Sequence, residues 1–179
     1  MRITTGKYKG RIVKAAKAIR PTQNKVRKAI FDILGDVEGL SFLELFAGSG
    51  AVGFEALSRG AREVVLVEYN RDCQIAIRNN IEILKDSSCS LYPRQADIAV
   101  AVFHKEGRLF DIIFCDPPYR LGLAKKILQT LSDYVILAPG GFVVIQHEKK
   151  EILPDNLGVF NLIKKSFYGS TVLSFYKKN

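Results

Sequence analysis

The residues best suited to chemistry are Asp116-Pro117-Pro118-Tyr119, which follow the apolar run of residues 110–115. Such a run predicts a buried strand, and two prolines cannot continue a sheet ladder. Open α/β sheets bind ligands at the carboxyl ends of parallel strands. A carboxylate beside an aromatic ring there predicts a site for a planar ligand that carries an N–H group. The plainer interpretation is a Pro-Pro turn with Tyr119 covering the core.

A second candidate site lies upstream, where a short apolar strand precedes Gly48, Gly50 and Gly53 in a G-x-G-x-x-G pattern. Glycines let the backbone approach a ligand closely and direct N–H groups at it. The next predicted strand ends in Glu68, 20 residues after Gly48, a spacing expected of an acid that binds ribose hydroxyls. These features together predict a nucleoside-containing cofactor. The alternative role for Glu68 is an exposed acid at the start of a helix.

The type of cofactor depends on Glu44, which precedes the glycines. A glycine turn alone also suits the pyrophosphate of a dinucleotide. An acid at Glu44 suits a cationic group better, and the Asp116 motif has no role in hydride transfer. We therefore expect S-adenosylmethionine, whose amino and sulfonium groups are positive.

The chain resembles a known family at these positions. Residues 44–53 resemble the first motif of the Rossmann-like class I S-adenosylmethionine-dependent methyltransferases, and residues 116–119 resemble the [DN]-P-P-[YF] motif of those that methylate exocyclic or amide nitrogens. Over nearly its whole length the chain is similar to the bacterial RsmD family of small-subunit ribosomal RNA guanine-N2 methyltransferases. The segments that carry this resemblance are Arg20-Pro21-Thr22, Val26-Arg27-Lys28-Ala29-Ile30-Phe31, Leu45-Phe46-Ala47-Gly48-Ser49-Gly50, Glu55-Ala56-Leu57-Ser58-Arg59-Gly60-Ala61 and Asp116-Pro117-Pro118-Tyr119.

The resemblance implies transfer of a methyl group from S-adenosylmethionine to the exocyclic N2 of a guanine in 16S ribosomal RNA. It implies that backbone groups of residues 46–50 hold the amino-acid end of the cofactor, with Glu44 near its amino group. Asp97 and Ile98 are expected to bind the adenine, although Asp97 could instead be a helix N-cap. The expected cofactor-binding residues are Glu44, Phe46, Ala47, Gly48, Ser49, Gly50, Glu68, Asp97 and Ile98.

The expected catalytic residues are Asp116, Pro117 and Tyr119. A guanine N2 attacks poorly because its lone pair is delocalised into the ring. The Asp116 carboxylate and the Pro117 carbonyl can accept its two N–H hydrogens, which aims the lone pair and stabilises the developing positive charge. Tyr119 should stack on a base that is unpaired or flipped out. We expect no metal, and either Asp116 or solvent takes the proton.

Two other interpretations stay open. The Asp-Pro-Pro-Tyr motif also suits adenine N6 of DNA or RNA, and its Asn form suits a protein glutamine. The short chain leaves no room for the inserted recognition domain that is usual in DNA enzymes. A non-catalytic nucleotide-binding module would bind the cofactor without methyl transfer, but this leaves Asp116 and Tyr119 unexplained.

Positive charge is concentrated at the start of the chain. The net charge is +9, and residues 1–28 contain ten Lys and Arg and no acid, so 17 basic residues face 18 acids in the remainder. Such a block predicts contact with phosphates. We expect ribosomal RNA or the small ribosomal subunit as the partner, with or without bound ribosomal proteins. A solvated face and a targeting presequence are the alternatives. The expected RNA-binding residues are Arg2, Lys7, Lys9, Arg11, Arg20, Thr22 and Arg27.

The remaining composition indicates the cellular setting. Cys73, Cys89 and Cys115 suit neither a disulfide framework nor a metal site and favour a reducing cytoplasm. No apolar stretch is long enough to span a membrane. We therefore expect a cytoplasmic monomer without membrane contact. His104 and His147 are isolated and are expected to be structural or surface residues.

Alternating strand and helix patterns predict an α/β fold with a parallel sheet and helices on both faces, and the family resemblance implies that this is the Rossmann-like class I methyltransferase fold. We expect a seven-stranded, mostly parallel sheet with one antiparallel strand, helices on both faces and a basic N-terminal hairpin and helix extension. That extension should cover residues 1–36 and pack on a methyltransferase domain of residues 37–179. The predicted strands are 42–46, 63–68, 89–94, 110–115, 141–147, 158–167 and 170–177. The predicted helices are about 22–34, 50–59, 70–84, 97–105 and 121–133.

Overall fold

The computed structural model describes residues 1–16, 24–119 and 122–179. Within these ranges helices and strands follow one another in the predicted order. The first two residues of the predicted helix 22–34 lie outside the described residues. The helices are α1 (Asn24–Leu34), α2 (Ala51–Ser58), α3 (Arg71–Leu84), α4 (Ala96–Lys105) and α5 (Leu123–Asp133). The strands are β1 (Ser41–Leu45), β2 (Glu63–Val67), β3 (Cys89–Tyr92), β4 (Phe110–Cys115), β5 (Leu137–Glu148), β6 (Asn156–Leu157), β7 (Phe160–Tyr168) and β8 (Thr171–Lys178).

The strands form one sheet in the order β3-β2-β1-β4-β5-β8-β7-β6. Neighbours among β1 to β5 are parallel, and β8 runs antiparallel between β5 and β7. This confirms the mostly parallel sheet with an inserted antiparallel strand. The predicted count of seven strands was one short, because the two-residue β6 pairs antiparallel with β7. Two residues carry too little periodicity to indicate a strand.

Strand β5 begins earlier than predicted. Phe110 of β4 is paired with Leu137, and Ile112 is paired with Phe142, so the register shifts between these two pairs. Residues 138–141 therefore form a bulge that interrupts the pairing of β5 with β4, and such a bulge bends the strand locally. Pro139, Gly140 and Gly141, around the start of the predicted strand 141–147, lie inside this bulge.

Helices cover both faces of the sheet, as predicted, because alternate strand residues point to opposite faces. One face, which includes Phe42 and Phe114, packs against α1, α2, α3 and the N-terminal arm, defined here as residues 1–16. The other face, which includes Leu43 and Ile113, packs against α4 and α5. The central parallel strands β1, β2 and β4 are therefore buried on both sides, which leaves the carboxyl ends of these strands for ligands. None of the described helices is long and apolar enough to cross a membrane.

The N-terminal arm forms a hairpin-like loop. Arg2 and Ile12 form a single antiparallel bridge. Gly6 and Gly10 between them have positive φ angles, which glycine adopts without strain. The arm contributes three buried side chains to the core of the first face, and these are Ile3, Tyr8 and Val13.

Polar contacts fix the arm to α2 and to the loop that follows α3. Glu55 of α2 accepts hydrogen bonds from the backbone N–H and the hydroxyl of Thr4, at 2.9 and 2.6 Å. The N–H of Lys7 donates to the Ser58 carbonyl at 2.7 Å, and its Nζ lies 3.3 Å from Asp86. Ser58 ends α2 and Asp86 precedes β3. The tip of the arm therefore lies at the amino edge of the sheet, opposite the carboxyl ends of the parallel strands.

Candidate active site

Strands β1, β2 and β4 end at the same level at the carboxyl edge of the sheet, and β5 passes this level and continues to Glu148. Leu45 of β1 is paired with Val67 of β2 and with Cys115 of β4, and Cys115 is paired with Ile145 of β5. The next residue along each strand therefore lies in one row across this edge. We call these residues the edge row, and they are Phe46, Glu68, Asp116 and Gln146. The edge row joins the two motifs that the sequence indicated.

The glycine turn after β1 depends on left-handed backbone conformations. Phe46 has a φ of 59° and Gly50 a φ of 72°. This region costs a residue with a Cβ about 1–2 kcal/mol. A Cβ at Gly50 would also lie 2.7 Å from the ring of Phe54, so the position requires glycine. The Gly50 N–H donates to the Ala47 carbonyl at 2.7 Å and closes the turn. Backbone strain of this kind is typical of binding sites.

Glu44 lies beneath the glycine turn and is only 2% exposed. Its Oε2 accepts a hydrogen bond of 2.7 Å from the N–H of Gly53 in α2. Burial, together with the negative charges of Asp116 and Glu68, raises the pKa of Glu44 to about 8. The side chain therefore supports the turn from the core side. A cation bound at the turn would favour its ionised form.

Glu68 connects the glycine turn to the end of β2. Its Oε2 accepts a hydrogen bond from the N–H of Gly48 at 2.7 Å. Its Oε1 accepts from the N–H groups of Tyr69 and Asn70, at 2.8 and 2.7 Å. A carboxylate has about four acceptor positions, so three donors hold the side chain rigidly while leaving capacity for a ligand hydroxyl. The prediction that Glu68 binds ribose stays a prediction.

A cavity of about 320 Å³ opens beside Glu68. This volume lies within the range of small-molecule sites. Phe46, Asp97 and Pro118 line the cavity, together with apolar side chains of α5 that include Leu123. The cavity is therefore lined by residues of the glycine turn, of the predicted adenine-binding segment that contains Asp97, and of the Asp-Pro-Pro-Tyr motif.

Asp97 faces this cavity from the first turn of α4. Its Oδ1 accepts from the N–H of Ile98 at 3.0 Å, and its Oδ2 lies 3.6 Å from Nζ of Lys126. The N-cap of α4 is Gln95, so the alternative role of Asp97 as the helix cap is wrong. The Ile98 side chain is 48% exposed and does not line the cavity. The structure therefore brings Asp97 to the cavity, but not the side chain of Ile98.

The Asp116 motif lies next to the cavity. Oδ1 of Asp116 accepts a hydrogen bond of 2.8 Å from Nε2 of Gln146. Tyr119 is 36% exposed, and its hydroxyl lies 3.2 Å from Oγ1 of Thr171. Pro117 is buried at the bend. Tyr119 therefore lies at the surface near Asp116, so the expectation that it covers the core is wrong, whereas its role in stacking stays a prediction.

The residues that were predicted to bind RNA differ in their exposure to solvent. Four of them are exposed on the N-terminal arm, namely Arg2, Lys7, Lys9 and Arg11. Arg20 and Thr22 lie outside the described residues.

Arg27 is a correction, because it is only 1% exposed. Its Nη2 donates to the carbonyl of Arg2 at 2.8 Å, and its Nε lies 3.4 Å from Glu55. The guanidinium is therefore used inside the protein, where it ties α1 to α2 and to the arm. The prediction that Arg27 contacts RNA is wrong, since helical periodicity cannot show that a charged side chain has a buried partner.

Two important residues were missed by the sequence interpretation. Gln146 interrupts an apolar strand one residue after the position aligned with the end of β4, and this polar interruption was a usable signal. Glu55 is a fully buried acid in α2, whose other residues except Ser58 are apolar or glycine. It lies in the Glu55–Ala61 segment of the family resemblance, and its contacts explain that segment as the docking site of the arm.

The cysteines and histidines have structural surroundings. Cys73 and Cys89 are buried free thiols, and burial raises the pKa of Cys73 to about 11 and that of Cys89 to about 12. They therefore stay protonated near neutral pH. Nε2 of buried His147 lies 2.8 Å from the Ser174 hydroxyl, which agrees with its expected structural role. Among the described residues no cluster of His, Cys, Asp and Glu suits a metal ion.

The strand order, the antiparallel β8 and the glycine turn with a strand-end acid define a Rossmann-like class I methyltransferase fold. Comparison with known proteins agrees with this class. The chain belongs to the RsmD family of methyltransferases, whose family model, described as Conserved hypothetical protein 95, matches residues 1–177. The family resemblance of the sequence is thereby confirmed.

Relatives are similar over nearly the whole chain. YlbH of Bacillus subtilis strain 168, provisionally named an rRNA methyltransferase, is 35% identical over 99% of this chain and 99% of its own. Ribosomal RNA small subunit methyltransferase D of Escherichia coli K12 is 30% identical over 99% of this chain and 90% of its own. The solved structure of Escherichia coli yhhF has a TM-score of 0.89 at 30% identity and covers 99% of this chain and 97% of its own. SMU.776, solved with SAH, shares only the fold, with a TM-score of 0.68 at 16% identity, over 88% of this chain and 50% of its own.

Proposed function

We propose that the protein transfers a methyl group from S-adenosylmethionine to the exocyclic N2 of a guanine in small-subunit ribosomal RNA. One observation carries this proposal: the Asp116 motif lies at the same sheet edge as the glycine turn, with Pro118 on the wall of the cavity beside that turn. Relatives named as small-subunit ribosomal RNA methyltransferases support this substrate. The motif itself supports an sp2 nitrogen as the acceptor.

The residues of the cavity and of the glycine turn fit S-adenosylmethionine. Glu68 has acceptor capacity for ribose hydroxyls, and Asp97 lies where an adenine amino group can donate. The Ser49 hydroxyl is buried and has no hydrogen-bond partner among the described residues, which suits a site that a ligand completes. The fold neighbour solved with SAH supports this ligand class. When bound, the cofactor supplies an electrophilic methyl group on a positively charged sulfur.

Asp116 and Pro117 act on the target amine in this proposal. The Asp116 carboxylate and the Pro117 carbonyl accept its N–H hydrogens, and a hydrogen bond to a charged group contributes about 1.5–3 kcal/mol. The bond to Asp116 strengthens as positive charge develops on nitrogen, which is the condition for catalysis. Tyr119 offers a ring on which the base stacks, worth about 1–3 kcal/mol. Asp116, or water at the exposed mouth, takes the proton.

The exposed basic residues of the N-terminal arm bind RNA phosphates in this proposal. Lys7 and Lys9 lie at the amino edge of the sheet, so an RNA that reaches both them and Asp116 must extend across the protein. A small ribosomal subunit, or a folded segment of its RNA, has the size to do so. Arg20 and Thr22 are proposed as further contacts.

The decisive test is mass spectrometry of ribosomal RNA from a strain that lacks the protein. We expect one N2-methylguanosine to disappear, to return with the native gene and to stay absent with an Asp116→Ala gene. Unchanged 16S modification would refute the proposal. Purified protein should then be offered tritiated S-adenosylmethionine with DNA, total protein or undermethylated small subunits. Labelled adenine or glutamine would support the other nitrogen acceptors, and binding without transfer would support a nucleotide-binding module.

A further inference from the structure

We propose that Gln146 is a positioning residue that holds the Asp116 carboxylate and the Tyr119 ring in the geometry needed for nitrogen methylation. This inference rests on the function proposed above. Gln146 lies near the end of β5 and is only 6% exposed. The parallel register of β4 and β5 pairs Cys115 with Ile145, so Gln146 lies directly beside Asp116. It belongs to neither of the two motifs that indicated the site.

One amide nitrogen reaches both residues of the motif. Nε2 of Gln146 donates to Oδ1 of Asp116 at 2.8 Å and lies 3.4 Å from the Tyr119 hydroxyl. An amide nitrogen carries two N–H groups, so it can serve both partners. The Tyr119 hydroxyl also lies 3.2 Å from Oγ1 of Thr171 on β8. The acceptor and the stacking ring are thereby tied to two rigid strands.

The partners of Gln146 also determine the orientation of its amide. In the reversed orientation Oε1 would face a carboxylate oxygen of Asp116, and two acceptors repel each other. In the observed orientation Oε1 is buried and has no hydrogen-bond partner among the described residues. A buried acceptor without a partner costs about 1–3 kcal/mol. An apolar side chain would therefore suit this core position better if packing were the role of the residue.

The proposed chemistry of the site explains why a glutamine is present here despite the cost of its buried Oε1. Asp116 must hold the N–H hydrogens of the target amine so that the lone pair of the amine points at the methyl group, and this requires the plane of its carboxylate to be fixed. The hydrogen bond to Oδ1 fixes that plane, and the contact with Tyr119 relates it to the stacked base. A misplacement of about 1 Å in a reacting group can cost about 100-fold in rate. Gln146 therefore acts through Asp116 and Tyr119 and is not itself required to touch the substrate.

The first experiment compares Gln146→Met with the native protein on undermethylated small subunits. Methionine has a similar length and packs in an apolar core, but it cannot donate a hydrogen bond. We expect kcat to fall by about 10- to 100-fold, while the calorimetric Kd for S-adenosylmethionine changes by less than about threefold. Gln129→Met is the matched control, because Gln129 is an exposed residue of α5 that does not line the cavity. It should keep native kcat.

The second experiment measures the pH profile of Gln146→Glu. A protonated glutamic acid can donate to Asp116, whereas two ionised carboxylates side by side repel each other. The kcat of this variant, divided by the native kcat, should therefore fall by about tenfold between pH 6 and pH 8. A role limited to packing does not produce this dependence.

The outcomes separate the inference from the function on which it rests. If the native protein methylates none of the offered substrates, the proposed function is refuted. If it is active but Gln146→Met keeps native kcat, the positioning role is refuted. The role is also refuted if kcat falls only in proportion to the folded fraction seen by circular dichroism and the pH profile of Gln146→Glu parallels the native one.

Discussion

The Glu44 carboxylate accepts a hydrogen bond of 2.7 Å from the N–H of Gly53, directly under the glycine turn. A Cβ at Gly53 would lie 2.9 Å from this carboxylate, so the absent side chain lets the helix approach the acid. The relationship explains two features of the motif at once. The third glycine gives α2 room above β1, and the acid takes an N–H of the first helical turn that has no partner within the helix.

Glu44 should make the stability of the free protein depend on pH. Its pKa rises from 4.5 to about 8 in the folded protein because of burial and the nearby acids, so the folded state favours the protonated form. The stabilising contribution is complete below 4.5 and is lost as pH rises through about 8. Glu44→Gln can still accept from Gly53 but cannot ionise. Denaturant unfolding between pH 5 and pH 9 should show a smaller loss of stability in this variant, and parallel curves for the two proteins would contradict the assignment.

Glu55 should be essential for stability. Replacing it with Ala leaves the Arg27 charge buried without its carboxylate, which typically costs about 3–5 kcal/mol, and removes the acceptor of Thr4. The free energy of unfolding in urea measures this loss. Glu82→Ala, on the exposed face of α3, is the control and should change stability by less than about 0.5 kcal/mol. Replacing Arg27 and Glu55 together with apolar residues should recover part of the loss, and a cost equal to that of Glu55→Ala alone would contradict this explanation.

The fold was largely predictable because local patterns and global topology agree. Apolar runs such as residues 110–115 fixed the parallel strands, and the glycines marked the turn after β1. The two-residue β6 and the bulge at residues 138–141 were not predictable, since both depend on pairing with distant strands. The site was predictable where a motif lies at a strand end, as Asp116 does. Arg27 was wrongly predicted to contact RNA and Gln146 was missed, because their roles depend on partners that only the folded chain brings near.

Glu68 should be needed for cofactor binding. Loss of a charged acceptor for ribose hydroxyls costs about 1.5–3 kcal/mol, which corresponds to about 10- to 100-fold in Kd. Glu68→Ala tests this by calorimetry with S-adenosylmethionine. Glu68→Gln is a milder variant, because its amide oxygen can keep the hydrogen bond from the N–H of Gly48 that holds the glycine turn. Asp72→Asn, an exposed acid on α3, should leave Kd unchanged, and an unchanged Kd for Glu68→Ala would remove Glu68 from the ribose site.

Asp116 should affect the methyl-transfer step and not cofactor binding. Asp116→Ala removes an acceptor that acts as charge develops on nitrogen, so kcat should fall by about 100-fold or more. The Kd for S-adenosylmethionine should stay within about threefold of native, since the predicted cofactor contacts lie elsewhere. Single-turnover assays with labelled cofactor measure the step directly. Turnover close to native would show that Asp116 does not hold the amine.

The exposed residues of the N-terminal arm allow a sharper test of RNA binding than removal of the arm. Deleting it would uncover the core around Ile3, Tyr8 and Val13 and leave Arg27 and Glu55 without a cover, so weaker RNA binding could result from unfolding. Lys9→Gln with Arg11→Gln changes charge at exposed positions only.

Each lost phosphate contact should reduce the slope of log K against log salt by about 0.7 to 0.9. The double arm variant should therefore reduce the slope by about 1.5 while its melting temperature stays native. Lys105→Gln with Lys178→Gln changes the same net charge at exposed positions outside the arm and serves as the control. Filter binding of small-subunit RNA from 50 to 300 mM salt provides the measurement. Equal reductions in both double variants would mean that RNA responds to net charge alone, and no reduction in the arm variant would mean that the phosphates do not contact this face.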